Sequence, residues 1–432
     1  MDPASMHLST PSPELGQALD ALKNRDFSQA HRRLLEMAGR GQTDAMGYLG
    51  MLYLRGLGIP YDPTQAYHWT EQAAREGNGT ALLALANLVY LGLGTLRDPE
   101  RAKAVLLAAA RTGNSAALRT LGLVYLGLGA NWHQAAITCF EAAATLRDVF
   151  ATHALSVIRL GLGQIDLALP ILSWAGTQGL FPSLLRLKNL QHQLGISTVR
   201  DLAILPPQYP DRPHLRTIIP FEWETRSAGS TTECDTRIAL RIGTDLLHPI
   251  ECDYLIALAA PHLRPAETQE PHTGRIIKNP VRTSSAMNFP PNLEDLILMR
   301  LEERIASFAG QHLERAEALA VLRYRPGEEY RPHYDAFDPE TCKRDPECIR
   351  LGQRTETVLT YLNDGFTGGA TDFPTLQQTI ESRSGQVVAF RNLDASGNRM
   401  PLALHAGLPV QSGEKWLATL WFRERPGARS MG

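Results

Sequence analysis

Three residues of types that bind transition metals lie near the end of the sequence: His333, Asp335 and His405. Two imidazoles and one carboxylate can occupy one face of a ferrous ion and leave three positions open. Lys415 follows soon after His405 and offers a cation for the far carboxylate of a dianionic co-substrate, such as 2-oxoglutarate, that chelates the metal. These four residues predict oxidative chemistry at a non-haem iron site.

A His-x-Asp pair alone is weak support for a metal site, because the chain has 13 His and 45 acidic residues. The neighbouring sequence strengthens the metal interpretation. A Pro-Gly turn at Pro326 separates a β-prone stretch, Ala320 to Tyr324, from the pair. Such a turn delivers the ligands to the end of a strand.

Short apolar runs on either side of a glycine-rich turn predict a β-rich core around these residues. The runs and the turn are Thr355 to Leu362, Gly365 to Gly369, Gly385 to Phe390, Pro401 to His405 and Glu414 to Phe422. In the last strand, alternation places Lys415 and Trp421 on one face, together with Leu417 and Thr419. A small barrel-like fold would turn that face toward one cavity, where a buried Lys needs an anionic partner.

A series of motifs runs in order through the C-terminal half. They are His248 to Ile256, Val281 to Ser284, Tyr324 to Asp335, Gln353 to Asn363, Gly368 to Pro374, Phe390 to Asp394, His405 to Val410 and Gly413 to Trp416. With these motifs, the sequence from about Leu246 to Arg425 resembles the prolyl 4-hydroxylase family of iron and 2-oxoglutarate dioxygenases, in particular the bacterial branch related to the catalytic domain of collagen prolyl 4-hydroxylase. The resemblance implies a double-stranded β-helix, or jelly roll, with supporting helices.

The resemblance also implies roles for eight residues. His333, Asp335 and His405 would hold the catalytic iron, Lys415 the distal carboxylate of 2-oxoglutarate, Tyr324 the same co-substrate, and Tyr330, Arg354 and Trp421 the substrate groove. Simpler roles stay open for four of these eight residues. Tyr324 and Tyr330 could be core aromatics, Arg354 a solvated surface charge and Trp421 ordinary barrel packing.

The implied reaction hydroxylates an unactivated C–H bond while 2-oxoglutarate is decarboxylated to succinate. Fe(II), 2-oxoglutarate and O2 take part, with ascorbate as the reductant, and the family favours 4-hydroxylation of peptidyl proline in a protein or peptide. The iron and co-substrate residues determine the oxidant and not its target. Two alternatives therefore stay open: the same chemistry on a free amino acid or natural product, and an inactive protein-binding scaffold.

The N-terminal half of the chain is repetitive. Gly-Leu-Gly occurs at residues 56–58, 92–94, 127–129 and 161–163. These spacings of about 35 residues are typical of helix-pair repeats. Gly77-Asn78 and Gly113-Asn114 are expected to close the second helix of a pair.

This half resembles Sel-one-like repeats, relatives of the tetratricopeptide repeat, over roughly residues 44–180. Leu19 to Gly41 would form a capping helix pair, and the divergent last unit, Arg159 to Gly179, a terminal cap. Such all-α solenoids commonly bind a peptide or protein. We therefore expect the repeats to dock a protein partner or the peptide substrate; the alternative is that they enlarge, solubilise or dimerise the enzyme.

Composition shifts predict a multidomain chain of four segments. These are a flexible N-terminus over 1–15, the solenoid over 16–190, a Pro-rich linker over 191–235 and the oxygenase domain over 236–432. The linker prediction rests on the prolines of Leu205 to Pro213. Within the last segment we expect a first strand over Arg237 to Ile242 and helices over Pro249 to Ala260 and Asn292 to Gly310.

Charge and hydropathy favour a cytoplasmic protein with no nucleic-acid or membrane partner. The formal net charge is −2, which argues against a nucleic-acid-binding surface. No secretory hydrophobic region follows Met1, Met6 could be the natural start, and the longest apolar stretch, Ala81 to Gly94, is too short to span a membrane.

Cysteine usage argues against a disulfide framework or a zinc site, because the chain has 5 scattered Cys. Cys342 and Cys348 alone stand out, since they flank a charged segment just after the metal pair, where the resembling family has a mobile loop. Free thiols are the favoured state of these two residues, and a redox-linked pair is the alternative.

Overall fold

A computed structural model describes residues 12–194, 218–223, 227–269, 276–278, 281–381 and 383–427. The first eleven residues of the predicted flexible N-terminus, with Met6, and the prolines of Leu205 to Pro213 lie outside the described residues. The described chain divides into two compact units. The first, here called the repeat unit, holds 12–155, 218–223 and 295–297; the second, called the sheet unit, holds the rest.

Within residues 12–194 of the described chain, eleven α-helices follow one another with short connections. They are α1 Pro13–Lys23, α2 Phe27–Gly39, α3 Thr43–Arg55, α4 Pro63–Arg75, α5 Gly79–Leu91, α6 Pro99–Arg111, α7 Ser115–Leu128, α8 His133–Thr145, α9 Val149–Gly161, α10 Ile165–Thr177 and α11 Phe181–Leu194. The predicted solenoid of helix pairs is therefore confirmed. The helix pair expected over Leu19 to Gly41 is α1 and α2, and α1 begins earlier, at Pro13. The predicted limits of the four segments stay a prediction.

The Gly-Leu-Gly motifs have a structural reason in this packing. Gly92 ends α5 in the left-handed conformation (φ 72°), and its N–H donates to the carbonyl of Leu88. Gly94 lies against the carbonyl of Pro63 at the start of α4, where a Cβ would collide. The first glycine therefore terminates one helix, and the second allows the chain to approach the preceding helix pair.

The prediction that the Gly-Asn pairs close the second helix of each pair was wrong for the asparagines. Asn78 is the N-cap of the next helix, α5, and accepts a hydrogen bond from the N–H of Ala81 at 2.9 Å. Its amide also donates to Asp44 of the preceding repeat at 2.9 Å. An Asn can do both because its amide is donor and acceptor. Asn78 therefore starts a helix and links two repeats.

The sheet unit is built from short strands and four further helices. The strands are β1 Thr231–Asp235, β2 Leu240–Gly243, β3 Arg264–Pro265, β4 Glu267–Gln269, β5 Ile276–Lys278, β6 Ser285–Asn288, β7 Ala320–Tyr324, β8 Tyr330–His333, β9 Arg354–Tyr361, β10 Thr367–Gly368, β11 Thr371–Phe373, β12 Gln378–Ile380, β13 Val387–Arg391, β14 His405–Gly407, β15 Val410–Ser412 and β16 Lys415–Arg423. The helices are α12 Pro249–Ala259, α13 Leu296–Ala309, α14 Pro339–Cys342 and α15 Pro346–Leu351.

Two antiparallel sheets form the centre of the sheet unit. The larger has the order β1-β2-β13-β9-β16-β7-β6-β3 and the smaller the order β12-β11-β14-β8. One hydrophobic cluster draws on both sheets, with Leu359 and Phe390 from the larger and Phe373 and Ile380 from the smaller. This shared core fits the predicted jelly roll with supporting helices, and it fixes the smaller sheet against the larger.

Two strand predictions near this core were wrong about where the strand begins. The strand expected over Arg237 to Ile242 starts only at Leu240, because Ala239 takes a left-handed conformation (φ 48°) and the Asp235 carboxylate accepts from the N–H of Arg237, which makes the turn between β1 and β2. The run Pro401 to His405 begins with a 3₁₀ turn, and the strand starts only at His405. Pro has no N–H for a strand ladder.

Helices α10 and α11 belong to the sheet unit, although the sequence places them at the end of the solenoid. Arg186 on α11 forms an ion pair with the buried Asp253 of α12, with its Nε 2.7 Å from Oδ2. The Phe181 ring packs against Trp416 of β16, with 5.2 Å between centroids.

None of the helices in the described ranges has the length and apolar character that crossing a bilayer requires.

The outer helices α12 and α13 are joined by a buried ion pair. Arg304 donates two hydrogen bonds, of 2.8 and 2.9 Å, to the carboxylate of Glu251, and each side chain is at most 3% exposed. Glu251 also closes a capping box with His248 at the start of α12. Removing either partner should destabilise the fold strongly, because the remaining charge would be buried without compensation.

We predict that Arg304→Ala lowers the free energy of unfolding of the sheet unit by about 3 to 5 kcal/mol, because it leaves Glu251 buried and unpaired. Urea unfolding followed by near-ultraviolet circular dichroism measures this change. Lys343→Ala is the control, since both side chains of its pair with Glu340 are exposed, and it should leave the curve unchanged. Equal effects of the two substitutions would contradict the argument.

Candidate functional site

Strand pairing brings the three predicted metal ligands together. His333 ends β8 and His405 begins β14, and the two residues are direct partners in the antiparallel register of these strands. Asp335 follows β8 by two residues. Its Oδ1 lies 3.6 Å from Nε2 of His333, and its Oδ2 lies 3.5 Å from Nε2 of His405. One atom from each of the three residues fits within 4.8 Å of the others, as a shared metal ion requires.

Main-chain carbonyls orient both imidazoles. Nδ1 of His333 lies 2.8 Å from the carbonyl oxygen of Arg331, and Nδ1 of His405 lies 3.0 Å from that of Ala403. A carbonyl only accepts hydrogen bonds, so each Nδ1 carries the proton and each Nε2 presents its lone pair to the cluster. Burial lowers the pKa of His405 to about 4, so this ring is uncharged and able to bind metal at neutral pH.

The Asp335 carboxylate is held from the larger sheet. Its Oδ2 accepts from the hydroxyl of Thr357 on β9 at 2.7 Å, and that hydroxyl accepts from the amide of Asn392 at 2.9 Å. Burial raises the pKa of Asp335, but the neighbouring imidazoles and Arg354 outweigh burial and hold the pKa below its usual range. The carboxylate is therefore ionised and fixed in direction, and together with the two imidazoles it suits Fe(II).

Lys415 lies in the same interior without an acidic partner. Its side chain is 2% exposed, and its Nζ donates to the carbonyl of Gly369 at 2.6 Å. The rings of Tyr324 and Tyr361 each lie 5.4 Å from Nζ. No carboxylate of the described residues lies within ion-pair distance of this ammonium group, and burial lowers the pKa of Lys415 to about 7.

A cavity of about 400 Å³ connects Lys415 with the metal cluster. Its lining includes His333, Asp335, His405, Lys415, Tyr324, Tyr330, Leu417, Thr419 and Trp421. The alternate residues of β16 that the sequence places on one face therefore all line one cavity, which confirms that prediction. Seven of the eight predicted site residues meet here.

Arg354 is the eighth predicted site residue and lies behind the cavity wall. Its guanidinium group stacks over the Trp421 ring, 4.0 Å from the centroid, and over Phe337 at 4.9 Å. Nε and Nη2 donate to the two carboxylate oxygens of Glu317 at 2.8 and 2.7 Å. Arg354 is therefore not the solvated surface charge of the simpler interpretation, and Glu317 fixes its plane against Trp421.

The predicted groove aromatics differ in their surroundings. Tyr324 is 3% exposed on β7, directly opposite Lys415 in the register of β7 and β16. Tyr330 stacks on His333 with 3.4 Å between ring centroids, and Arg282 lies 5.8 Å from the Tyr330 ring. The Tyr330 ring thus covers one side of a predicted metal ligand, whereas Tyr324 belongs to the end of the cavity near Lys415.

The segment after Asp335 forms two short helices that a disulfide joins. Cys342 ends α14 and Cys348 lies in α15, with 5.1 Å between their Cα atoms. The expectation of free thiols was therefore wrong. The turn between the helices brings residues six apart in sequence close enough to bond. Phe337, which begins this segment, exchanges two main-chain hydrogen bonds of 2.9 Å with the Gln353 amide.

Sequence reasoning missed Thr357, Asn392 and Glu317. The first two orient the metal carboxylate and the third orients Arg354. Each contact joins residues on different strands or loops, so no spacing in the sequence identifies it. Only the alternation of β9, which turns Thr357 and Leu359 to the interior face, carries a partial signal.

Comparisons with known proteins find relatives of both halves of the chain. The family model described as 2OG-Fe(II) oxygenase superfamily matches residues 319–423, and the Sel1 repeat model matches residues 43–78 and 79–114. Prolyl 4-hydroxylase 1 of Arabidopsis thaliana is 37% identical over 197 residues, which are 42% of this chain and 67% of the relative. Prolyl 4-hydroxylase subunit alpha-1 of Rattus norvegicus is 33% identical over 184 residues, 42% of this chain and 34% of the relative.

Among solved structures, a viral collagen prolyl hydroxylase from Paramecium Bursaria Chlorella virus-1, in complex with 2OG, is 31% identical. The match covers 43% of this chain and 95% of that chain, with a TM-score of 0.33. On the sequence relationships and the repeat matches, this chain joins helical Sel1 repeats to an oxygenase, and it belongs to the prolyl 4-hydroxylase family of 2OG-Fe(II) oxygenases.

Proposed function

We propose that this protein is an Fe(II)- and 2-oxoglutarate-dependent dioxygenase that 4-hydroxylates peptidyl proline in a protein or peptide substrate and releases succinate. The observation that carries the proposal is Lys415. A buried ammonium group without a carboxylate partner is costly unless an anion joins it, and this one shares its cavity with the His333, Asp335 and His405 cluster.

The donor set fits the metal that the family uses. Two imidazoles and one ionised carboxylate, all aimed at one point, are a facial set for Fe(II). In the proposal, His333, Asp335 and His405 hold the iron, which supplies oxygen activation coupled to decarboxylation of 2-oxoglutarate. Lys415 binds the distal carboxylate of the co-substrate and Tyr324 packs beside it. The apolar cavity walls exclude water from both.

The substrate residues are proposed from their position between cavity and surface. Trp421 lines the cavity, and the Arg354 guanidinium covers its ring. Two of the three Arg354 nitrogens donate to Glu317, and Nη1 has no partner among the described residues. That nitrogen can donate to a carbonyl of an extended peptide, while Tyr330 and Trp421 offer aromatic walls for proline rings.

A peptide partner for the helical repeats completes the proposal. Matches to Sel1 repeats support an interaction surface in the repeat unit, and stacked helix pairs commonly present such surfaces. Ascorbate as reductant and a cytoplasmic location are the further parts of the proposal, and both rest on the sequence reasoning alone.

We predict oxygen-dependent release of succinate from 2-oxoglutarate in the presence of Fe(II), stimulated by a Pro-rich peptide more than by free proline. A mass gain of about 16 Da on proline should accompany it, as hydroxylation adds one oxygen atom. His333→Ala should abolish both signals because it removes a metal ligand. His262→Ala, a substitution at an exposed histidine of the sheet unit, is the matched control and should retain activity.

The outcomes of this assay separate the alternative functions. Turnover without peptide stimulation would keep the oxygenase and move the search to free amino acids or natural products. No turnover in the wild-type protein, together with retained Fe(II) binding, would contradict the proposal and favour the protein-binding scaffold.

We predict that 2-oxoglutarate binds more weakly as the pH rises above about 7. The pKa of Lys415 is about 7 before the co-substrate binds, so above that pH binding requires protonation of a neutral amine. The Kd should increase about tenfold per pH unit between 7.5 and 8.5. Calorimetric titration of the Mn(II)-loaded protein, which does not turn over, measures this Kd.

Lys415→Arg provides the control for this pH effect, because a guanidinium group stays charged throughout the range. Its Kd at pH 7 will be higher, since the Arg side chain is larger and shaped differently, but it should not change with pH. The same slope in the wild-type and Lys415→Arg proteins would assign the pH effect to another group and remove Lys415 from the co-substrate site.

We predict that Thr357→Val lowers the affinity for a divalent metal about 10- to 100-fold, since outer hydrogen bonds of this kind orient metal ligands. Calorimetric titration with Mn(II) measures the loss. Thr360→Val is the matched control on the same strand, because the Thr360 hydroxyl is buried and has no hydrogen-bond partner in the part of the chain that the structure describes. Equal metal affinities of the two variants would show that Asp335 needs no support from Thr357.

A further inference from the structure

Residues 218–223, Ile-Ile-Pro-Phe-Glu-Trp, belong to the repeat unit, although they follow the end of α11 by more than 20 residues. They form no helix or strand. Their contacts are with α5, α6 and α7 of the repeats, about 95 to 135 residues earlier in the chain. The repeat helices thus hold an extended segment of their own chain.

One tyrosine binds the main chain of this segment. The Tyr125 hydroxyl on α7 donates to the carbonyl of Ile219 and accepts from the N–H of the same residue at 3.1 Å. Tyr125 is fully buried, and Trp132 stacks on its ring with 5.3 Å between centroids. Hydrogen bonds to both the N–H and the carbonyl of one residue fix the direction of an extended peptide, and they do not depend on its side chains.

Two aromatic side chains of the segment are anchored in the repeats. Phe221 is 3% exposed and packs edge-on against Tyr125 at 5.8 Å. Trp223 packs against Tyr90 at 5.2 Å, and its Nε1 donates to the carbonyl of Pro99 at 2.9 Å. Buried aromatic residues whose polar atoms find partners are the side chains that typically dominate peptide affinity.

A charge lies between the two anchors. Lys103 on α6 forms an ion pair with Glu222 at 3.0 Å, and its Nζ lies 5.9 Å from the Phe221 ring. Lys103 also pairs with Glu100 on its own helix at 2.6 Å, so the lysine is held in place beside the segment. Because Glu222 is 80% exposed at its side chain, this contact contributes selectivity for an acidic residue more than affinity.

We propose that Tyr90, Lys103, Tyr125 and the Pro99 carbonyl form a peptide-binding site, here called the repeat site. Its ligand is an extended segment with an aromatic, an acidic and a second aromatic residue in that order, bound through the main chain two residues before the first aromatic. Residues 218–223 fill the repeat site in cis, and a partner that presents the same order of side chains binds by displacing them. The inference rests on the part of the proposed function that gives the repeats a peptide partner, and it is independent of the hydroxylase reaction.

Covalent attachment gives the internal segment a large advantage over a free peptide. Tethering raises the effective concentration of a ligand to about the millimolar range. A free peptide with an intrinsic Kd of about 10 µM would then bind the wild-type protein about 100-fold more weakly, since it must compete with the tethered copy. Release of the segment should therefore let a free peptide bind the repeat site more tightly.

The test uses the full chain and a fluorescein-labelled peptide, Ile-Ile-Pro-Phe-Glu-Trp. Fluorescence anisotropy compares the wild-type protein with Phe221→Ala/Trp223→Ala, in which the internal segment loses both anchors. We expect the double variant to bind the peptide at least tenfold more tightly. Adding Tyr125→Phe to the double variant removes only the main-chain hydrogen bonds and should weaken binding again.

A charge exchange checks the ligand order without disturbing the anchors. Glu222→Lys leaves the aromatic residues in place and should loosen the segment, so the labelled peptide binds this variant more tightly than wild type, though less tightly than the double variant. In Lys103→Glu combined with the double variant, a peptide with Lys in place of Glu should bind better than the original. The Glu222→Lys measurement holds even where the double variant folds poorly, because it leaves both aromatic anchors in place.

Equal peptide affinity of the wild-type and Phe221→Ala/Trp223→Ala proteins would overturn occupancy in cis. Absence of binding to both the double variant and Glu222→Lys would overturn the repeat site itself. His333→Ala separates these results from the enzyme proposal, because it should abolish succinate release and leave peptide binding at the repeat site unchanged.

Discussion

The antiparallel pairing of β8 with β14 sets His333 opposite His405, and the whole candidate site depends on that register. Successive residues of a strand face opposite sides, so a shift of one residue would turn one imidazole away from the cavity. Asp335 lies just beyond the end of β8 and bridges both rings. Residues more than 70 positions apart thus meet because two short strands pair in a single way.

The register is supported by a core that leaves little freedom around the ligands. The His405 ring lies 4.8 Å from Phe390 of the larger sheet and 5.8 Å from Phe373 of the smaller one. Phe373 and Phe390 also pack edge to face against each other. Because interiors are close-packed, the imidazole cannot rotate without displacing both rings. The same packing that stabilises the two sheets therefore orients a ligand for metal.

The sequence predicted features that depend on local pattern and missed those that depend on tertiary register. Alternation placed Lys415 with Trp421, and the glycine period located the helix pairs, because each is a property of one element. Thr357 and Glu317 act across strands, so no spacing revealed them. The hairpin at Ala239 and the start of a helix at Asn78 are local, but they depend on a left-handed residue and on an Asn that makes two contacts.

Two donors near the cavity can bond to the carbonyls of a peptide. Nε1 of Trp421 is buried and has no hydrogen-bond partner among the described residues, and Glu317 engages only Nε and Nη2 of Arg354. A buried donor such as Nε1 of Trp421 costs free energy that an incoming carbonyl can recover. An extended peptide carries a main-chain carbonyl at every residue, so one chain can bring acceptors to both donors. The same tertiary contacts that orient Arg354 and Trp421 therefore leave donors for an extended peptide.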